Sequence, residues 1–157
     1  MIYNASDIIL TALRIEKNGF NFYNHAQKKI EEVNIKNLLI ELAKEEQRHA
    51  DYFQTIEAEL KKKQIISYEF DTEIIINYLA DSHVFNKENM GEKLGNSINN
   101  AKEALDIALT FEKDTISFFT ELGHNLEGEA RNVINKIIDE ERNHIKKIVL
   151  MKKELNL

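Results

Sequence analysis

The chain has 157 residues, enough for one domain with a proper core, and carries a net charge of −6 with no cysteine and no proline. Disulfides, thiolate zinc sites and cysteine-held iron centres are thereby excluded, and a reducing cytoplasm is the expected setting. An acidic chain without a basic block is a poor partner for nucleic acid or an anionic membrane, and no apolar run approaches the ~18 residues of a membrane span. The N-terminus, MIYNASDIILTALRIEKNGF, lacks the pattern of a signal peptide. With five glycines, 31% charged residues and long apolar-periodic stretches, the composition points to an all-α protein.

Four long helices are expected, in a single domain spanning 1–157. The first runs from about Ser6 to Lys29, with Ser6 or Asp7 near the N-cap. The second runs from about Asn34, a plausible cap, to Lys62, closing a hairpin over about 6–62. A long connection follows, about 63–99. In it FDTEIIINYLADSHVF reads as a short helix capped at Asp71, and NKENMGEKLGNSINN as a polar, glycine-containing loop. The third helix spans about Asn100 to Leu122, with Gly123 as the residue just past its end. The fourth spans about Gly128 to Glu154, with Lys146, Lys147, Lys152 and Lys153 near its negative end, and completes a second hairpin over about 100–154. Short connections make each pair antiparallel, and a long crossover between two hairpins is a known bundle layout.

The two hairpins repeat one another. At an offset of 96, Ile9, Ala12, Ile15, Glu16, Phe20 and Tyr23 fall on Leu105, Ala108, Phe111, Glu112, Ile116 and Phe119. At an offset of 95, Leu39, Leu42, Glu45, Glu46, His49 and Phe53 fall on Ile134, Ile137, Glu140, Glu141, His144 and Ile148. Glu16, Glu46, Glu112 and Glu141 each have apolar neighbours at helical spacings, so each lies on the stripe that faces the core. His49 and His144 follow one turn later. Four buried carboxylates repel one another and are costly to desolvate, and no Lys or Arg shares their positions. Bound cations are the natural remedy, and carboxylates with imidazoles suit iron, manganese or zinc. The competing reading is a duplicated bundle that has lost its site. Glu45 and Glu140 point about 100° away from the motif glutamates and are expected to be solvated or to support the ligands. Tyr23 either hydrogen-bonds a ligand carboxylate or is an interior tyrosine satisfied elsewhere. Glu103, Asp106, Asp114 and Glu121 are expected at the surface, and His25, His83 and His124 at the surface or in loops.

A Glu from each of two helices and a Glu-x-x-His from each of the other two is the pattern of ferritin-like di-iron and di-manganese bundles. Through IEKNGFNFY (15–23), KEEQRHADYF (44–53), FEKDTISFF (111–119) and DEERNHIKKI (139–148), the chain resembles the rubrerythrin-like branch of the ferritin-like superfamily. The resemblance implies a ferritin-like four-helix bundle holding two iron ions. It makes Glu16, Glu46, His49, Glu112, Glu141 and His144 the ligands, with Glu46 and Glu141 bridging. It implies an oxidoreductase that reduces peroxide or dioxygen, with ferroxidase or iron handling, or a non-catalytic metal-stabilised bundle, as alternatives. A homodimer is also implied. Classical rubrerythrins add a cysteine-bearing rubredoxin domain; this chain has no cysteine, so electrons would come from an external rubredoxin or flavoprotein. Their peroxidase site carries a further Glu one turn after the third-helix ligand, where Thr115 stands here. The chain ends with its fourth helix, so a cage-ferritin storage shell is not expected.

Overall fold

A computed structural model describes residues 5–63 and 73–157. Among them are six α-helices and no strand: α1 (Ala5–Ala26), α2 (Val33–Lys63), α3 (Glu73–Ser82), α4 (Met90–Ser97), α5 (Ala101–His124) and α6 (Gly128–Glu154). A 3₁₀ turn, Gln27–Lys29, follows α1. The pairs α1/α2 and α5/α6 pack along their lengths, α3 lies on α5, and α4 lies on α1. The crossover therefore touches the second hairpin first and then returns to the first.

The helix ends follow local chemistry. Ser6 and Asp7 fall in the first turn of α1. The chain leaves the 3₁₀ turn at Ile30, which is extended and buried, and α2 begins at Val33 on the carbonyl of Glu32. Asn34 is thus inside the first turn and does not cap it. The expected cap at Asp71 lies outside the described residues. Asn100 caps α5 by accepting the Glu103 N–H at 2.9 Å, and the Glu103 carboxylate accepts the Asn99 N–H at 3.0 Å. Gly123 is not a terminating residue: α5 runs through it to His124 and closes at Asn125, whose N–H bonds the Leu122 carbonyl. Gly123 instead faces Ile134 of α6, where an added Cβ would lie 3.4 Å from the isoleucine Cγ2.

The stretch expected as a polar loop contains α4. Gly91 and Gly95 turn the backbone of this helix against α1; a Cβ on Gly91 would lie 1.8 Å from the Asn18 carbonyl oxygen. Buried Asn18 secures the contact, donating to the carbonyls of Phe85 (2.7 Å) and Lys87 (2.8 Å) and accepting the Gly91 N–H (3.1 Å). Glycines lower helix propensity, so only the tertiary contact reveals why this segment is helical.

The core stripe is the one expected from periodicity. Ile9, Ala12, Ile15, Tyr23, Leu39, Leu42, Phe53, Leu105, Ala108, Phe111, Phe119, Ile134, Ile137 and Ile148 are all buried. Each large apolar side chain among them contributes about 1.5–3 kcal/mol on leaving water. Phe85, from the crossover, stacks on Phe22 and Phe111 with ring centroids 5.4 and 4.7 Å apart, so the connection covers the side of α1 and α5.

Candidate metal centre

Four helices each send polar groups into this apolar interior: Glu16 from α1, Glu46 and His49 from α2, Glu112 from α5, Glu141 and His144 from α6. All six are buried. They form two overlapping groups, Glu16–Glu46–His49–Glu141 and Glu46–Glu112–Glu141–His144, and within each group one donor atom per residue lies within 4.8 Å of all the others. Glu46 and Glu141 belong to both. Every ligand candidate read from the sequence is therefore at one place.

The inner nitrogens of the imidazoles face the carboxylates. His49 Nδ1 is 2.9 Å from Glu141 Oε1 and 3.3 Å from Glu16 Oε2. His144 Nδ1 is 2.8 Å from Glu141 Oε2 and 3.4 Å from both Glu46 Oε1 and Glu112 Oε2. The two oxygens of Glu141 thus each approach a different histidine. Yet both oxygens of Glu16, Glu46 and Glu141, and His49 Nδ1, make no hydrogen bond. Short distances without hydrogen-bond geometry are what donors arrayed around common centres give. Native interiors rarely leave so many polar atoms unsatisfied, and this donor set fits two cations.

The outer nitrogens are engaged as well. His49 Nε2 lies 2.7 Å from Glu140 Oε2, and His144 Nε2 hydrogen-bonds Glu45. Glu45 and Glu140, at the partly solvated positions expected of them, therefore support the histidines. The buried Tyr23 hydroxyl finds its partner in the cluster, donating to Glu112 Oε1. The equivalent Phe119 packs on Phe53. Gly19 lies against the site; a Cβ there would be 2.5 Å from Phe111 Cζ and 3.1 Å from Glu46 Oε2.

Electrostatics follows burial and proximity. Burial pushes Glu46 and Glu112 well above the ordinary carboxylate range, with the charge of Glu141 adding to it. Glu16 is raised by burial too, partly offset by His49. Glu141 goes the other way: burial opposes its charge, but the imidazoles of His144 and His49 beside its two oxygens prevail and lower it. Burial also disfavours the charged form of His49, but Glu141 and Glu16 outweigh it and push the imidazole up to about 12. His144 rises further, against its burial, through Glu112, Glu141 and Glu45. Burial and then the Glu112 charge push the Tyr23 hydroxyl well up.

Of the remaining polar residues, Asp106 is half-buried and pairs with Lys102 and Lys152. Asp114 accepts the Val84 N–H at 3.3 Å, Glu103 serves the α5 cap, and Glu121 is largely covered beside exposed His124. His25 is half-buried and meets Asn96 at 3.0 Å. His83 is not a surface residue: it is buried against Phe111, its Nδ1 accepts the Phe85 N–H at 3.0 Å, and its Nε2 lies 3.1 Å from the Thr115 hydroxyl. The crossover places it there by packing, which leaves no periodic signal in the sequence.

No match is found among curated protein sequences. A solved structure from Thermotoga maritima, described as a ferritin-like diiron-carboxylate protein, is similar: the TM-score is 0.71 and the identity 27%, over 97% of this chain and 96% of that one. The fold is thus ferritin-like. The rubrerythrin family model matches residues 7–148, nearly the whole chain and all six converging side chains, and the chain belongs to the rubrerythrin family.

Proposed function

We propose that the chain is a di-iron oxidoreductase that reduces peroxide or dioxygen with electrons from an external donor. The observation that carries this reading is the buried cluster of four carboxylates and two imidazoles, most of whose inner atoms lack a hydrogen bond. Family membership and the likeness to a protein described as diiron-carboxylate support iron over manganese or zinc.

Glu16 and His49 would hold one ion, Glu112 and His144 the other, and Glu46 and Glu141 would be shared. Four carboxylates balance two divalent cations in charge, which removes the repulsion that otherwise opposes burial. When bound, two ferrous ions would supply one electron each, the two that, with two protons, take hydrogen peroxide to water or dioxygen to hydrogen peroxide. All six clustered side chains are shut off from bulk water, and the Tyr23 hydroxyl presents its proton at Glu112. With no cysteine for a thiolate electron-transfer centre, re-reduction falls to a separate rubredoxin or flavoprotein, in a reducing cytoplasm.

The test is anaerobic loading with Fe2+, metal counting, and mixing with hydrogen peroxide and with dioxygen in separate experiments. About two irons per chain and rapid two-electron oxidation by one of these oxidants are expected. Oxidation of many irons per chain would make the protein a ferroxidase. Iron that stays ferrous in both oxidants would leave a metal-stabilised bundle without redox activity.

A further inference from the structure

We propose that the Thr115 hydroxyl, turned by His83, donates a hydrogen bond to a small anion that enters the carboxylate–imidazole cluster. Thr115 is then a ligand-binding residue and His83 a positioning residue. The inference deepens the proposed function and rests on the reading of the cluster as a cation site. The ligand class is a short anion of the azide or hydroperoxide kind, which can meet a cation with one end and accept hydrogen with the other.

Thr115 follows Glu112 by one turn of α5 and is fully buried. Hydroxyls inside helices commonly bond back to the carbonyl four residues earlier, and Thr11, Thr55, Thr110 and Ser117 all do so, at 2.9–3.1 Å. Among the described residues Thr115 makes no such bond; its Oγ1 lies 3.1 Å from His83 Nε2 instead. The roles at that contact are fixed. His83 Nδ1 accepts the Phe85 N–H at 3.0 Å, so a neutral ring carries its hydrogen on Nε2. Burial keeps the ring neutral, pulling it down to about 3. Nε2–H therefore donates to Thr115 Oγ1, and the hydroxyl hydrogen is left to be given elsewhere. With Nδ1 held by a backbone amide, His83 cannot pass protons along; it can only orient.

The internal repeat places this donor at the cluster. At the offset of 96 Thr115 is the counterpart of Gly19, and at 95 Glu141 is the counterpart of Glu46. A Cβ on Gly19 would lie 3.1 Å from Glu46 Oε2. By the same relation the Thr115 side chain stands beside Glu141, both of whose oxygens lack a hydrogen bond. No hydrogen bond joins Thr115 to Glu141 either, which leaves the hydroxyl hydrogen for a third group at the cluster. The two sides differ. On the Gly19 side a Cβ would lie 2.5 Å from Phe111 Cζ, so that side has neither the donor nor the room.

Anaerobic loading of the full-length chain with Co2+ supplies divalent ions without redox turnover, and their visible absorption reports the binding of added azide. The unaltered chain should hold two Co2+ ions and bind azide. Thr115→Val keeps the shape without the hydroxyl and should weaken azide about 10- to 100-fold while two Co2+ ions remain bound. Thr115→Ser restores the hydroxyl and should recover most of that loss. His83→Phe keeps a ring against Phe111 but frees the hydroxyl to bond back along its helix, and should weaken azide as Thr115→Val does; it carries the same test should Thr115→Val fail to load. Nitrogen-15 NMR of the metal-free chain at pH 7 should show His83 neutral, with its hydrogen on Nε2. Unchanged azide affinity in Thr115→Val or His83→Phe overturns the proposal, as does His83 with its hydrogen on Nδ1. A serine variant as impaired as valine overturns it too, because packing and not the hydroxyl would then matter. A chain that loads two Co2+ ions but binds no azide overturns this proposal alone. A chain that takes up no Co2+ overturns the cation-site reading and this proposal with it.

Discussion

Loading two divalent cations at pH 7 should expel at least two protons per chain, and apparent affinity should climb steeply with pH. In the metal-free protein the carboxylates push His49 up to about 12 and His144 higher still, each against the opposing effect of burial. Both rings are then imidazolium at pH 7, and an imidazolium Nδ1 has no lone pair to give. Each must lose one proton before it can ligate. Burial also raises Glu46 and Glu112, so any protons they hold are released as well, whereas lowered Glu141 contributes none. The sign is unambiguous: the groups that give up protons have raised pKa values in the metal-free state and are deprotonated in the loaded one, so rising pH favours loading. Two protons make the overall constant for the pair increase about 100-fold per pH unit, or about 2.7 kcal/mol. Calorimetric titration with Zn2+ in two buffers of different ionisation enthalpy counts the protons directly. Release of fewer than one proton per chain, or affinity that falls with pH, refutes the electrostatic account.

Three further outcomes test the surroundings of the cluster. Gly91→Ala places a Cβ 1.8 Å from the Asn18 carbonyl oxygen, a backbone atom that cannot yield, and should cost about 3 kcal/mol or more in urea unfolding. Gly128→Ala, where nothing lies within 4 Å but φ is +60°, is the control and should cost only about 1 kcal/mol. Tyr23→Phe removes the hydroxyl that satisfies Glu112 and should destabilise the metal-free chain by about 1–3 kcal/mol; an unchanged urea midpoint would show that the contact carries no weight. Burial pulls His83 down to about 3, below its unfolded value near 6.5, so the stability it contributes is present above that unfolded value and is lost as pH falls toward 3. At pH 5 the loss comes to about 2 kcal/mol, and His83→Leu should flatten that part of the acid limb when urea midpoints at pH 7 and pH 5 are compared.

The converging side chains were legible in the sequence because they occupy the apolar stripe itself: a glutamate with Leu, Ile or Ala at −4 and −7 has to face the core, and the repeat at offsets of 96 and 95 shows it twice. What escaped depends on partners far along the chain. The glycines that make α4 look like a loop are the residues that let it approach α1. His83 has no periodic neighbour to mark it; Phe85 and Phe111, brought beside it by the crossover, bury it. Glu45 and Glu140 look solvated from their own helices, because local geometry does not reveal that the opposite helix offers each of them an imidazole. One signal was available: the Glu-Glu pair itself recurs at the same offset as the histidine, so the outward glutamate repeats as faithfully as the inward one.

The internal repeat gives the cluster two halves of the same composition, and the residues around them make those halves chemically unequal. Glu112 receives a hydroxyl from Tyr23, whereas Phe119, the equivalent of Tyr23, packs on Phe53. Both oxygens of Glu16 are left without a hydrogen bond. The outer supports differ too: Arg48 pins Glu140 at 2.6 Å, but Lys147 approaches Glu45 at 3.7 Å while bonding Glu41 at 2.7 Å. Arg48 maps onto Asn143 in the repeat and Lys147 onto Tyr52, so neither support was inherited in both copies. An unsatisfied buried carboxylate gains more from a cation than one already hydrogen-bonded. The first ion should therefore enter the half-site of Glu16 and His49, and the second that of Glu112 and His144. A Zn2+ titration should resolve two steps, with Glu16→Ala abolishing the tighter and Glu112→Ala the weaker. A single step that both variants weaken equally would mean that the two halves act as one site despite their different surroundings.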